Sequence, residues 1–171
     1  MEYLMTYGWA ILIIAVVLGA LFSLGVFSGN SLLGNACVAS SGFLCQNPIY
    51  SHATSNIVVS LGQNTGTTWD TAFFVFVPQG TPVSSGIPQL AGNVPIDWSS
   101  VNGPPVYGIT QGLVSGQTQT VTLPVNSLGI GYGNTITVGT SATGAIWAEY
   151  TTSVSGTKQY AQIATINIKA S

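Results

Sequence analysis

Charged side chains are what this sequence has least of. Only 4% of its 171 residues are charged, with two Lys or Arg and four Asp or Glu, and the formal net charge is −2. Ordinary soluble domains carry about 25% charged residues. So few charges argue against nucleic acid or anionic lipid as a partner, because both are recognised through clustered basic side chains. The surface is instead expected to be wetted by Ser, Thr, Asn, Gln and backbone groups, which makes it insensitive to pH and salt.

Side chains suited to catalysis are equally scarce. His52 is the only histidine, which excludes a metal site built from several histidines. Asp70, Asp97 and Glu149 are the only carboxylate side chains after residue 33, and they lie far apart in sequence. The Gly-rich stretch GIGYGN precedes no predicted helix, so it does not have the form of a phosphate-binding loop. The sequence therefore predicts no enzyme, no cofactor and no metal ion.

Cysteine is limited to Cys37 and Cys45, which lie eight residues apart in CVASSGFLC. A disulfide closing so short a loop contributes roughly 2–3 kcal/mol in the chain-entropy model. It would fasten the junction between the N-terminal segment and the rest of the chain, and it implies an oxidising location outside the cell. The spacing is not that of a metal site. We predict the disulfide, with two buried free thiols as the alternative.

What the chain does contain is an apolar N-terminal segment, MEYLMTYGWAILIIAVVLGALFSLGVFSGN, with no charged residue between Tyr3 and Phe27. It reaches the roughly 20 residues with which a helix crosses a bilayer. We predict a long hydrophobic α-helix over residues 1–33, held in a membrane or buried by other copies of the chain. The segment lacks the basic residues of a secretory signal and the flanking Lys or Arg of an ordinary membrane anchor.

Small residues recur at every fourth position in this segment. Ala15, Gly19 and Ser23 fall on one face of a helix, and this spacing lets helix backbones approach closely. The other faces carry larger apolar side chains, and a helix that is apolar all round requires burial all round. A single-pass anchor with incidental glycines is the alternative. The residues predicted to pack in a helical polymer are Ala15, Gly19, Ser23, Ile11, Leu18 and Phe22.

Glu2 is the one charged residue of the segment. A carboxylate at a helix start is favoured by the helix dipole and by unsatisfied backbone N–H groups. In a bundle of identical helices, Glu2 is predicted to pair with the terminal ammonium of a neighbour, so we add it to the polymerisation residues. A solvated acid in the first turn is the alternative.

The first 27 residues closely resemble the N-terminal helix of archaeal type IV pilin-like proteins, which carry a class III signal peptide. The resemblance lies in MEYLMTYGWAILIIAVVLGAL, and the C-terminal GAIWAEYTT and QYAQIATINIKAS are similar to the terminal strands of those proteins. In the precursors a short basic leader precedes the same run, so we expect a chain that is already processed or written from an internal start. The resemblance implies a leader peptidase and an assembly ATPase as transient partners.

The remaining residues predict β-structure. Ile57, Val59 and Leu61 share one face by the two-residue period, and Ala72–Val77 is a continuous apolar run typical of a strand buried on both faces. Alternation returns in QTQTVTLPV, NTITVGTS, AIWAEYTT and QYAQIATINIK. About six or seven short strands separated by turns favour an immunoglobulin-like sandwich over residues 34–171. The predicted fold class is therefore α+β, a long hydrophobic helix followed by an all-β sandwich.

Two tryptophans receive opposite predictions. Trp147 lies in the middle of a predicted strand and is assigned to the core. Trp98, in the loop-like PIDWSS, is the better candidate for an exposed contact with a neighbouring subunit.

These features lead to the hypothesis of a pilin, the structural subunit of an extracellular adhesion filament. The helices would bundle in its core and the β-domains would coat it, after a stage in which the membrane holds the subunit. The chain has no Asn-x-Ser/Thr sequon, so N-linked glycans of that type are not expected. O-linked sugars on the abundant Ser and Thr stay open. Two alternatives remain: the subunit of an archaeal swimming filament, and a monomeric membrane-anchored module that binds, for instance, carbohydrate.

Overall fold

The computed structural model describes residues 2–23, 34–90, 94–96, 98, 107–109, 112–125 and 138–170. The chain divides into two compact units, residues 1–34 and 35–171. We call the second unit the head domain.

The first unit contains one described helix, α1, which runs from Glu2 to Ser23. Its 22 residues correspond to a length of about 33 Å. Among the described residues, no helix has the length and hydropathy that a membrane-spanning segment requires.

The predicted fold class is wrong. The described part of the chain is mostly β, with strands making up 56% of its residues, and its helix is short rather than the long hydrophobic helix expected over residues 1–33. The prediction relied on the length of the apolar run, whereas Gly25, Ser28, Gly29 and Asn30 are residue types with low helix propensity. Residues 24–33 themselves lie outside the described residues.

The described residues of the head domain form eleven strands. They are β1 (Ala36–Ala39), β2 (Phe43–Ser51), β3 (Asn56–Gln63), β4 (Trp69–Pro78), β5 (Val83–Ser84), β6 (Ile87–Leu90), β7 (Val94–Pro95), β8 (Tyr107–Ile109), β9 (Thr118–Pro124), β10 (Ser141–Thr152) and β11 (Lys158–Lys169).

Two antiparallel sheets account for most of these strands. The larger sheet has the order β1-β11-β10-β4-β8, and the smaller sheet has the order β2-β3-β9. The short strands β5, β6 and β7 make a third sheet. Of the predicted strand NTITVGTS, residues 134–137 lie outside the described residues, and Val138 and Gly139 form a turn before β10.

The main core lies between the larger and smaller sheets. Ile57, Val59 and Leu61 of β3 are buried, which confirms the prediction that they share one face, and they belong to one apolar cluster with Phe74 of β4 and Ile146 of β10. Alternate residues of each strand supply this core because successive side chains point to opposite faces of a sheet.

A second, smaller cluster covers the outer face of the larger sheet. Val75 and Val77 point away from the main core and are buried with Ile96 and Trp98. Strand β4 is therefore buried on both faces, as its continuous apolar run predicts. The head domain is thus a two-sheet sandwich with additional packing on one outer face.

Candidate functional site

Helix α1 presents apolar side chains around its whole circumference. Every described side chain from Tyr7 to Ser23 is exposed except Leu21, which is half-buried. The large apolar ones are between 44% and 68% exposed, with Trp9 at the upper end and Leu18 at the lower. A helical surface of this kind, without a polar face, is unusual unless something covers it.

All residues predicted to pack lie on α1. The small residues Ala15, Gly19 and Ser23 are exposed, and a Cβ placed on Gly19 would meet no heavy atom within 4 Å. The side chain of Glu2 lies outside the described residues, so its predicted pairing stays a prediction. The exposed larger members of the predicted set are Ile11, Leu18 and Phe22.

The predicted disulfide is confirmed, and Cys37 and Cys45 have Cα atoms 5.9 Å apart. It lies within the head domain, joining β1 of the larger sheet to β2 of the smaller sheet. The sequence predicted a fastening next to the N-terminal segment; the structure gives it the further role of tying two sheets together at their edge.

Among the described residues, one ion pair is formed, between Glu149 and Lys158. The sequence alone did not predict this pairing. The Glu149 side chain is 3% exposed and lies 2.8 Å from the Nζ atom of Lys158, across the β10–β11 hairpin. Burial, then the hydrogen bond to Glu149 and the negative charge of its carboxylate, raise the pKa of Tyr160 to about 12. The carboxylate is therefore held by two neighbours on the next strand.

This carboxylate does not form part of a recognisable catalytic set. Asp70 is exposed on β4, His52 is exposed in the turn after β2, and Asp97 lies outside the described residues. Within the described part of the chain, no three His, Cys, Asp or Glu side chains cluster in a way that would hold a metal ion. The Glu149 pair satisfies a buried charge that would otherwise be costly.

The two predictions for tryptophan are wrong. Trp98 is 6% exposed and packs against Tyr160 with ring centroids 5.9 Å apart. Trp147 is only half-buried, on the outer face of the larger sheet beside Gln162. The reason is the alternation along β10: Ile146 and Ala148 point into the main core, which turns Trp147 outward.

A third tryptophan, Trp69, is an internal residue. Its ring stacks on Tyr150 with a centroid distance of 4.0 Å, and Phe43 meets it edge-on. Trp147 is therefore the one described head-domain tryptophan that is half-buried rather than buried, and it packs against the second, smaller cluster.

No protein-family model matches this chain, and no curated protein or solved structure matches it. Function has therefore to be inferred from the exposed helix and the head domain themselves.

Proposed function

We propose that this protein is the structural subunit of an extracellular filament of the archaeal type IV pilus kind, used for adhesion. In this polymer the α1 helices pack against one another in the centre and the head domains lie outside. The observation that carries the proposal is the exposure of apolar side chains on all sides of α1.

The size of the exposed surface requires a partner. Burying ten large apolar side chains that are about half exposed contributes on the order of 10 kcal/mol per chain. A partner that touches one face of α1 would leave the other faces in water. Neighbouring copies of the same helix cover all faces at once, and they supply equally apolar surfaces in return.

Small residues favour close contact between such helices. Gly8 and Gly19 have open space where a side chain would stand, so the backbone of a neighbouring helix has room to approach there. Contacts that are head-to-tail rather than self-complementary do not close, so the assembly grows as an open helical polymer.

The head domain supports a location outside the cell. A disulfide persists in oxidising surroundings, and here it links the two sheets of the domain. A surface with few charges keeps its properties when salt or pH changes. The resemblance of the first 27 residues to archaeal pilin-like proteins adds a leader peptidase and an assembly ATPase as proposed partners, and the Ser- and Thr-rich surface makes O-linked sugars a further proposal.

The proposal is tested by shearing the cells that produce the protein and imaging the supernatant by electron microscopy. Fibres that contain this chain, identified by mass spectrometry, are the expected result. Protein that stays with the cell membranes, with no fibres in the supernatant, would overturn the proposal in favour of an anchored monomer.

A further inference from the structure

We propose that the outer face of the larger sheet carries a binding site for a neutral saccharide, with Trp147 as its aromatic wall. This inference rests on the proposed function for its biological role, since it names the class of ligand that an adhesion filament would hold. The site itself belongs to a single head domain.

The site is a cavity of about 260 Å³ on the outer face of the larger sheet. One side is the end of β4 with the turn that follows it, and the other side is formed by β10 and β11. The backbone N–H of Gln79 donates a hydrogen bond of 3.0 Å to the carbonyl of Thr143, which fixes the turn against β10. The cavity is therefore formed before any ligand arrives.

Strand register explains why a cavity exists here. Ala145 lies opposite Val77 on one side and Thr165 on the other, and its small side chain leaves a depression in the sheet surface. Two residues further along β10, Trp147 lies opposite Gln162 and closes one end of that depression.

The polar side chains around the cavity both donate and accept hydrogen bonds. The Gln162 Nε2 atom donates to the Thr165 hydroxyl over 3.1 Å, which orients the amide at the edge of the cavity. Thr81 donates its hydroxyl to the carbonyl of Pro78 over 2.8 Å, so its oxygen remains an acceptor. Amides and hydroxyls in this arrangement suit a ligand that carries several hydroxyl groups.

None of the described lining residues is ionisable, which argues against a charged ligand. The nearest carboxylate along β10, Glu149, is buried and paired with Lys158. A purely apolar ligand would cover the exposed Gln162 and Thr165 side chains without replacing their hydrogen bonds to water, at a cost of about 1–3 kcal/mol for each group that it buries.

A sugar ring is uncharged and has both an apolar face and hydroxyl groups, so it suits a cavity lined by an aromatic ring, amides and hydroxyls. Its C–H face packs on an aromatic ring, and its hydroxyls exchange hydrogen bonds with amides and hydroxyls. Ligand pockets usually measure about 300–1,000 Å³, so a cavity of about 260 Å³ fits the end of a glycan rather than a long segment of one.

The test is calorimetric titration of purified full-length protein with maltose, cellobiose, lactose, chitobiose and mannobiose. The protein is kept dispersed in a detergent whose headgroup is not a sugar, and glucose 6-phosphate serves as the charged probe. We expect at least one disaccharide to bind. Glucose 6-phosphate is expected to bind no more tightly than uncharged glucose, which is titrated for comparison.

Paired variants locate the binding. Gln162→Ala is expected to weaken it by about tenfold, the equivalent of one hydrogen bond, while Gln159→Ala, exposed on the same strand but outside the cavity, leaves it unchanged. Ala145→Leu, which fills the depression, is expected to abolish binding without loss of thermal stability.

Two results would overturn the inference directly: no disaccharide binds, or binding survives both Gln162→Ala and Ala145→Leu. A third would overturn it as well: binding that disappears when the subunits polymerise, because a neighbouring copy would then fill the cavity. Electron microscopy of the same preparations separates the two proposals. Filaments that bind no sugar overturn only the saccharide site, and sugar binding without filaments overturns only the assembly.

Discussion

Cys37 and Cys45 connect the edge strand of the larger sheet to the edge strand of the smaller sheet, with their Cα atoms 5.9 Å apart. Strand β1 pairs only with β11 among the described strands, and β2 pairs only with β3. The disulfide therefore closes one side of the sandwich, next to the turn in which the Phe43 N–H donates to the Ser40 carbonyl over 3.0 Å.

Removing this link is expected to destabilise the head domain. A Cys37→Ser, Cys45→Ser double variant should lose roughly 2–3 kcal/mol of unfolding free energy, because its unfolded chain is less constrained. Chemical denaturation of the variant and of the parent protein measures the difference. Alkylation provides the check: cysteines of the native protein that react before any reductant is added would contradict the disulfide.

Filament formation is expected to depend on the small side chain at position 19. Gly19→Leu places bulk where a neighbouring helix would approach, so it should block assembly while leaving the head domain folded. The matched control is Ala53→Leu, which adds bulk in the exposed turn after β2 of the head domain rather than on α1. Electron microscopy scores fibres, and circular dichroism scores folding. Normal fibres from Gly19→Leu would remove the packing argument.

Gln63 is expected to be the most sensitive polar residue of the core. Its side chain is fully buried: Nε2 donates to the carbonyls of Thr67 (2.5 Å) and Leu113 (3.0 Å), and Oε1 accepts from Thr65. Gln63→Ala leaves these groups without partners and should cost about 3 kcal/mol in urea denaturation. The exposed Gln159→Ala should change stability by less than about 0.5 kcal/mol. Equal stabilities for the two variants would show that the network contributes nothing.

Stability is expected to fall at high pH because of Tyr160. Its pKa is about 12 in the folded protein, above the ordinary value of 10.0, so the folded state holds the hydroxyl proton more tightly than the unfolded chain does. The resulting stabilisation is complete below pH 10 and is lost as the pH rises towards 12. Denaturation series at pH 9 to 12 should show a smaller decline for Tyr160→Phe. A parallel decline in both proteins would assign the effect to other groups, among them Tyr150, whose pKa burial also raises.

Features of the fold that are set by residues close together in sequence could be predicted from the sequence alone. The alternation of Ile57, Val59 and Leu61 identifies a half-buried strand whatever its partner, and the apolar run of β4 identifies a strand covered on both faces. The disulfide was predictable because its cysteines are close in sequence.

The parts that depend on distant pairing were not predictable. Val38 of β1 pairs with Thr165 of β11, and nothing in the sequence signals this register, so the link between sheets could not be foreseen. The contact of Glu149 with Lys158 and Tyr160 depends on a hairpin whose register shifts at Ile146 and Trp147. The saccharide cavity depends on the same register together with the turn after β4.

Sedimentation velocity of the purified full-length protein, in buffer without detergent, tests the central claim most directly. The proposal predicts large polymers that return to single subunits when detergent is added, because detergent replaces neighbouring helices around α1. A single species of 17.6 kDa that stays dispersed in plain buffer would contradict it.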